Sequence, residues 1–254
     1  MTTPREQRQL ERFYNVLKAR APADIERFSW LHGPDLICLH NQYLNSNPRL
    51  VIIGQEVHEW YYNYREFVAG VWEFYYANST SKSCVKKAIA EYQGFDFAYS
   101  DEEPGYRRTP FWKFFHTVRE FAFPTERNAH QKVLWTNLIK FVTKNGSLLK
   151  KPYPEAEEAI QLQEDVLITE LKIAKPHVCI FVTGPDYDCI LKRYFRGVKF
   201  ITMHGLNDQL FAKLAHKDLP HHSYRTYHPG YLRRQKKKWD QVLRILRREL
   251  TRLA

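Results

Sequence analysis

The 254-residue sequence lacks the signals of a secreted or membrane-spanning protein. Its first residues contain no apolar segment of a signal peptide, and no window approaches the roughly 18 consecutive apolar residues of a membrane span. The four cysteines, Cys38, Cys84, Cys179 and Cys189, include no C-x-x-C pair that would hold zinc or an iron–sulfur cluster. We therefore expect a cytoplasmic protein with free, mostly buried thiols, no membrane association, and neither a metal nor an organic cofactor.

Acidic residues are scarce relative to basic ones. The chain has 28 Asp and Glu against 39 Lys and Arg, a formal net charge of +11, and aromatic residues make up 15% of it. This combination is typical of nucleic-acid binding, because cations meet phosphates and rings stack on bases. The alternative is a basic surface that only keeps the protein in solution. With 44% hydrophobic residues, the composition excludes disordered and low-complexity classes.

No internal repeat or Gly/Ser linker divides the chain, so we expect one domain over residues 1–254. Apolar, β-branched runs predict core strands at residues 49–54, 132–137, 177–184, 198–203 and 223–227. Helical spacing predicts one amphipathic helix over residues 4–20 and another over residues 154–174. This alternation predicts a single doubly wound three-layer αβα domain with a central, mainly parallel sheet of four to five strands.

Three segments stand outside this core pattern. Residues 1–48 form a helical lead-in. Residues 60–108 are rich in Tyr, Trp and Phe and are longer than a crossover needs, so we expect an aromatic cap or pocket wall. Residues 229–254 carry nine basic and two acidic residues, a net +7. They predict a helix that docks on the sheet and turns a basic face to phosphates, the alternative being a charged helix that is merely solvated.

Polar residues follow the predicted strands at their carboxyl ends. They are Gln55, Glu56, His58 and Glu59 after the first strand, Asn137 at the second, Thr183, Gly184 and Asp186 after the third, and His228 after the last. We expect them to converge on one crevice, where open parallel sheets bind ligands. There a carboxylate can orient water, an amide can read a base edge, and an imidazole can stabilise a leaving group. Taken singly, each residue is also an ordinary turn or cap former.

In its order of motifs, from about residue 49 to 235, the sequence resembles the uracil-DNA glycosylase superfamily. The motifs that carry the resemblance are Gly54-Gln55-Glu56, Gly94-Phe95-Asp96-Phe97, the segment 109–114, Asn137, the segment 180–184 and the segment 227–233. They are similar to the family's water-activating Gly-Gln-Asp motif, its base-stacking segment, its Pro-rich turn, its base-reading Asn, its strand with a Gly loop, and its His-Pro-Ser-Pro-Leu-Ser loop.

The resemblance implies a monofunctional DNA glycosylase that hydrolyses the N-glycosidic bond of a flipped-out, non-standard pyrimidine. Its catalytic residues would be Glu56 and His228. Its base-binding residues would be Gln55, His58, Phe97 and Asn137. The residues in contact with DNA would be Gly184, Pro229, Gly230, Tyr231, Leu232, Arg233 and Arg234, with Tyr231 or Leu232 as a wedge in the vacated stack. DNA is thus the implied partner, and we expect a monomer.

Departures from the family pattern bear on the substrate. Glu56 stands where the family has Asp, and Glu59 is its rival as the key carboxylate. Val57-His58-Glu59 replaces the family's Pro-Tyr-His, so the Tyr that excludes a 5-methyl group is missing. With the aromatic insertion, this favours a bulkier base such as glucosylated hydroxymethylcytosine of phage DNA, on which superfamily members act in bacterial defence. The alternatives are a catalytically weak or inactive DNA-binding protein of the same fold and an enzyme of free nucleosides.

Overall fold

The computed structural model describes residues 3–56, 62–71, 83–95, 109–126, 130–143, 146–149, 155–203 and 205–253. The helices are α1 (Arg5–Ala19), α2 (Asn41–Leu44), α3 (Tyr64–Ala69), α4 (Cys84–Phe95), α5 (Pro110–Ala122), α6 (Ala156–Leu162), α7 (Val166–Ala174), α8 (Asp188–Tyr194), α9 (Pro229–Arg234) and α10 (Lys236–Thr251). The strands are β1 (Leu31–His32), β2 (Leu50–Glu56), β3 (Val133–Ile139), β4 (Val142–Thr143), β5 (Val178–Phe181), β6 (Lys199–Thr202), β7 (Phe211–Ala215) and β8 (His222–Thr226).

Within the described residues, a central sheet contains six strands in the order β3-β2-β5-β8-β7-β6. The pairs β2–β5 and β5–β8 are parallel, with Ile53 opposite Phe181 and Phe181 opposite Arg225. Because these three strands run in the same direction in this register, the loops that follow them leave the sheet at the same edge. The structure confirms the predicted class, a mixed α/β fold in which helices flank a mainly parallel sheet.

The number of strands is larger than the predicted four to five. The extra strand of the central sheet is β7, which pairs antiparallel with both β6 and β8. Its sequence, Phe-Ala-Lys-Leu-Ala, has no β-branched residue, so local propensity did not indicate it, and pairing on both sides compensates. β6 was expected as a buried core strand but lies at the sheet edge, with mostly exposed side chains.

The helix predicted over residues 154–174 is interrupted and forms α6 and α7. Between them the buried Gln163 side chain donates to the Ala159 carbonyl at 3.0 Å and accepts from the Lys140 backbone N–H at 2.5 Å. A side chain that satisfies buried backbone groups in this way competes with a continuous helix. By contrast, α1 confirms the predicted N-terminal helix, and α5 begins after Thr109 as the Thr-Pro motif indicates.

The chain forms two compact units. The first comprises Met1–Leu39, Glu56–Tyr99 and Asn137–Ala174, and the second comprises His40–Gln55, Ser100–Thr136 and Lys175–Ala254. In the first unit α1 packs against α4 and α7, and in the second α5 packs against α9 and α10. A single domain over residues 1–254 stays a prediction.

The described part of the aromatic insertion belongs to the interior of the first unit. Tyr62, Tyr64, Phe67 and Tyr92 are all buried there. The Tyr64 ring meets the Phe141 ring edge to face, with centroids 5.0 Å apart. These rings therefore build a core rather than the expected pocket wall. Trp60, Tyr61, Trp72, Phe74, Tyr75 and Tyr76 lie outside the described residues.

The basic C-terminal segment forms α9 and α10, and its apolar stripe is covered. Val242, Leu246 and Leu250 are buried as α10 packs against α5 and α9. From the sheet, the Tyr224 hydroxyl donates to Glu249 at 2.8 Å. This confirms a docked amphipathic helix, which packs on two helices as well as reaching the sheet.

Candidate active site

A pocket of about 780 Å³ lies in the second unit, where the loops after β5 and β8 meet the end of β2. Its lining includes Gln55 from β2, Thr183 and Gly184 after β5, and His228 after β8. Tyr231 and Arg234 of α9 also line this pocket. The structure thus brings together polar residues that the sequence predicted at the ends of three separate strands.

Hydrogen bonds between neighbouring loops hold the pocket floor in place. The Gln55 side-chain amide donates to the Thr183 carbonyl at 2.7 Å, and the Gly184 N–H donates to the Thr226 carbonyl at 2.9 Å. Gly184 has φ +74° and ψ 169°, a backbone conformation that is essentially confined to glycine. The apolar strand therefore has to end in Gly for the chain to make this turn.

His228 occupies the N-cap position of α9, and Pro229 is the first residue of that helix. The Nδ1 atom of His228 accepts a hydrogen bond from the Gly230 N–H at 3.1 Å. Burial lowers the pKa of the His228 imidazole to about 4, so the ring is neutral near pH 7. Because Nδ1 acts as an acceptor, the network assigns the ring proton to Nε2. The pocket wall therefore contains a neutral imidazole whose remaining hydrogen-bonding atom is an N–H donor.

Tyr231 stacks on Tyr227, with ring centroids 4.3 Å apart and an angle of 28° between the planes. The Lys238 ammonium donates to the Tyr231 hydroxyl at 3.2 Å, which lowers the pKa of that phenol. Leu232, the other predicted wedge, is 0% exposed. A side chain this deeply buried is not positioned to reach a neighbouring duplex, which favours Tyr231 over Leu232, and the wedge itself stays a prediction.

The remaining predicted DNA contacts differ in exposure. Arg233 and Arg234 are exposed on the last turn of α9, and their contact with phosphates stays a prediction. Pro229 is buried, and Gly230 lines the pocket beside His228. Of this group, the structure therefore leaves the two arginines as the side chains that reach solvent.

Glu56 is the last residue of β2 and belongs to the first unit. Its carboxylate accepts from the Ser147 hydroxyl at 2.5 Å and from the Leu148 N–H at 2.7 Å. Because these donors meet different oxygens, they help to fix the orientation of the carboxylate. Sequence reasoning did not find Ser147, because a serine 91 positions away in a loop gives no local signal.

Asn137 lies within β3, in the first unit, and is 8% exposed. Its Nδ2 donates to Oδ2 of Asp35 at 3.2 Å. Asp35 is 0% exposed and follows Gly33-Pro34 in a loop that no motif singled out. Of the other predicted residues, His58, Glu59 and Phe97 lie outside the described residues.

Neither a candidate metal cluster nor a candidate membrane span is found in the described part of the chain. Among those residues, no cluster of three or more His, Cys, Asp or Glu side chains is arranged to hold a metal ion. None of the helices described is long and apolar enough to span a membrane. All four cysteines are free, and Cys189 is the exposed one, as expected for mostly buried thiols.

The fold and the pocket define an α/β protein that places an imidazole and a glycine loop at the carboxyl edge of a mainly parallel sheet. Residues 40–250 match the family model described as Uracil DNA glycosylase superfamily, and the chain belongs to that superfamily. Searches of curated proteins and of solved structures give no significant match. The family acts on DNA, so membership indicates a hydrolase of the DNA glycosylase class that acts in base excision.

Proposed function

We propose that this protein is a monofunctional DNA glycosylase that hydrolyses the N-glycosidic bond of a flipped-out, non-standard pyrimidine and leaves an abasic site. The observation that carries the proposal is the neutral His228 imidazole in the pocket wall, with its proton on Nε2. When the glycosidic bond breaks, its electron pair moves to the base, and negative charge develops there. A fixed N–H donor stabilises that charge without reorganisation at the moment of reaction.

Glu56 supports the other half of the reaction in this proposal. As the base leaves, the sugar becomes cation-like, and a water oxygen bonds to its anomeric carbon while the proton of that water passes to the carboxylate and ends, in the overall reaction, on the departed base. A carboxylate stabilises the cation by charge and orients the water. The bonds from Ser147 and Leu148 hold the two carboxylate oxygens in a defined orientation for this role.

Recognition of the substrate completes the proposal. Asn137 reads the edge of the extruded base, Gln55 and His58 add polar contacts, and Phe97 stacks on the ring. Tyr231 fills the vacated stack, since its ring is at the surface of the pocket. Arg233 and Arg234 bind phosphates beside it. We further propose a monomer that works in the cytoplasm.

For the substrate itself, we propose a bulky modified cytosine, such as glucosylated hydroxymethylcytosine of phage DNA, and hence a role in antiviral defence. The support is in the sequence: the segment Val57-His58-Glu59 lacks the Tyr that excludes a 5-methyl group in the family. Uracil remains the competing substrate, and with it a role in DNA repair.

The test uses labelled duplexes that carry uracil, hydroxymethylcytosine or glucosylated hydroxymethylcytosine. Wild-type protein should produce alkali-labile abasic sites in at least one of them. Glu56→Gln and His228→Gln should each lower the rate about a hundred- to thousandfold, the usual effect of losing one electrostatic contact to the transition state. Cleavage of plain uracil DNA with no action on modified DNA overturns the modified-cytosine assignment, and cleavage of free nucleosides alone overturns DNA as the substrate.

One observation favours a second candidate, a DNA-binding protein that recognises unusual bases without hydrolysis. Both oxygens of Glu56 already accept hydrogen bonds from the protein, which reduces what the carboxylate can offer to a water. Under this alternative no duplex yields abasic sites, while the affinity for a modified duplex still exceeds that for the matched unmodified one.

A further inference from the structure

We infer that Asp35 is a specificity-determining residue, which locks the side-chain amide of Asn137 in one orientation and thereby selects between 4-oxo and 4-amino pyrimidines. The inference rests on the proposed function, in which Asn137 reads the edge of the flipped base. Because Asp35 is 0% exposed and accepts from the Asn137 amide, it would act on the base through Asn137, as a positioning residue.

The geometry of the pair gives the amide a direction. Nδ2 of Asn137 is 3.2 Å from Oδ2 of Asp35, and both residues are at least nine-tenths buried. A carboxylate accepts hydrogen bonds and donates none, so the amide nitrogen must face it. If the amide flipped, the Oδ1 atom of Asn137 would meet a carboxylate oxygen in a buried site, where two acceptors without a proton between them repel each other.

Asp35 is itself held firmly against the strand that carries Asn137. Its N–H donates to the carbonyl of Lys140, the residue that follows β3, at 2.9 Å. The preceding Pro34 carbonyl accepts from the Tyr62 hydroxyl at 2.6 Å. Because Asp35 is bonded to the end of the same strand, the carboxylate and the amide keep their relative positions.

Gly33 allows this close approach. Its φ is +109°, and a Cβ there would lie 2.7 Å from the Lys140 carbonyl oxygen, closer than real Cβ atoms come to such an atom. The Gly33 N–H donates to the Tyr62 carbonyl at 2.9 Å, which pins the loop from the other side. A glycine at position 33 is therefore what allows the loop to bring Asp35 this close to β3.

The orientation of the amide matters because the two pyrimidine classes present opposite patterns. Uracil-type bases donate at N3 and accept at O4, whereas cytosine-type bases accept at N3 and donate at N4. An amide that is free to flip pairs with either pattern. When Asp35 fixes the amide, Oδ1 and Nδ2 of Asn137 face the base in one order only. One class of pyrimidine then forms both hydrogen bonds, whereas the other class places donor against donor and acceptor against acceptor. A good bidentate contact discriminates between bases by about tenfold to hundredfold.

The experiment compares two matched pairs of duplexes, uracil against cytosine and 5-hydroxymethyluracil against 5-hydroxymethylcytosine. For wild type, kcat/KM should favour one class in both pairs by about tenfold or more. Asp35→Asn keeps the size of residue 35 but supplies both a donor and an acceptor, so the preference should shrink towards equality. A ratio that is unchanged in Asp35→Asn, whether or not the overall rate falls, overturns the inference.

Two further variants separate specificity from folding. Glu249→Gln removes a buried carboxylate of the second unit, one that accepts from the Tyr224 hydroxyl at 2.8 Å and, among the contacts described, meets neither Asp35 nor Asn137. It should lower the melting temperature and leave the ratio as in wild type. In an Asn137→Ala background, Asp35→Asn should change the ratio no further, because its effect passes through the amide. An equal effect of Asp35→Asn in both backgrounds contradicts the inference.

The failure of the proposed function has a different signature. If wild type forms no abasic sites in any of the four duplexes, hydrolysis is absent, and the same duplexes with 2′-fluorinated target nucleotides are used to measure affinities. The wild-type affinity ratio should then exceed the Asp35→Asn ratio. Equal ratios overturn the role of Asp35 even when no catalysis occurs.

Discussion

The Nδ1 atom of His228 accepts a hydrogen bond from the N–H of Gly230, 3.1 Å away and two residues further along the chain. This one contact caps α9, and it also determines which tautomer the neutral ring adopts. Burial keeps the ring neutral by lowering its pKa to about 4. Capping and proton placement are therefore properties of the same short turn.

The first prediction concerns the stability of the fold at acid pH. In the unfolded chain His228 takes up a proton near its ordinary pKa of about 6.5, whereas in the folded protein it does so only near 4. Between these values the unfolded state binds more protons, so wild type loses stability as the pH falls through this window. We expect the melting temperature of wild type to fall more steeply than that of His228→Gln when the pH is lowered from 7.5 to 4.5. A difference that does not vary with pH contradicts the prediction.

The second prediction concerns Gly230→Ala. A Cβ at this position would lie 3.1 Å from Nδ1 of His228, so the imidazole has to move by a few tenths of an ångström. Since misplacement by about 1 Å can lower a rate a hundredfold, we expect a loss of about three- to tenfold in kcat. The affinity for an abasic product duplex is the internal control and should stay the same. Wild-type kcat in the alanine variant would show that the imidazole position is not critical.

The third prediction concerns Ser147→Ala, which removes the donor to Oε1 of Glu56. The Leu148 N–H still holds Oε2, so the carboxylate is retained but less well oriented. We expect kcat to fall about tenfold, less than in Glu56→Gln. Ser46→Ala is the matched control, because it removes a serine hydroxyl that donates to the Tyr43 carbonyl at 2.7 Å. Equal losses in the two serine variants would reduce Ser147 to a structural role.

The fourth prediction concerns Tyr231 as the wedge. Removal of its ring in Tyr231→Ala should lower activity on a double-stranded substrate more than on the same sequence as a single strand. The reason is that extrusion of a paired base costs a few kcal/mol that a single strand does not require. Tyr231→Phe keeps the ring and loses only the hydroxyl that accepts from Lys238, so it should keep the wild-type ratio. If the alanine variant loses the same factor on both substrates, Tyr231 is not the wedge.

The fifth prediction concerns Arg234, an exposed residue that lines the pocket. Arg234→Ala should weaken DNA binding for every sequence and reduce the slope of log affinity against log salt by about one. Arg20→Ala serves as control, because the Arg20 guanidinium is engaged by both oxygens of Asp165 at 2.6 and 2.8 Å. A salt slope that changes in the control but not in Arg234→Ala would place the phosphate contact elsewhere.

Local pattern predicted much of the fold. The five predicted runs became β2, β3, β5, β6 and β8 because apolar or β-branched runs favour strands whatever their partners are, although β6 lies exposed at the sheet edge. Local pattern missed β7, whose Ala and Lys have low strand propensity and whose stability comes from two neighbours. The interruption between α6 and α7 at Gln163 also gave no local signal in the sequence, because the Lys140 backbone that Gln163 contacts is distant along the chain.

The sequence by itself determined the class of protein and the motif residues, because Gln55, Glu56, Asn137 and His228 stand at or near strand ends in an order that local propensity reveals. Only the tertiary structure decided which atoms those residues present. It buried Leu232 and left Tyr231 at the surface, assigned the His228 proton through Gly230, and brought Ser147 to Glu56 and Asp35 to Asn137. The last two pairs are 91 and 102 positions apart, and hydrogen bonds over such separations depend on folded geometry that no local pattern encodes.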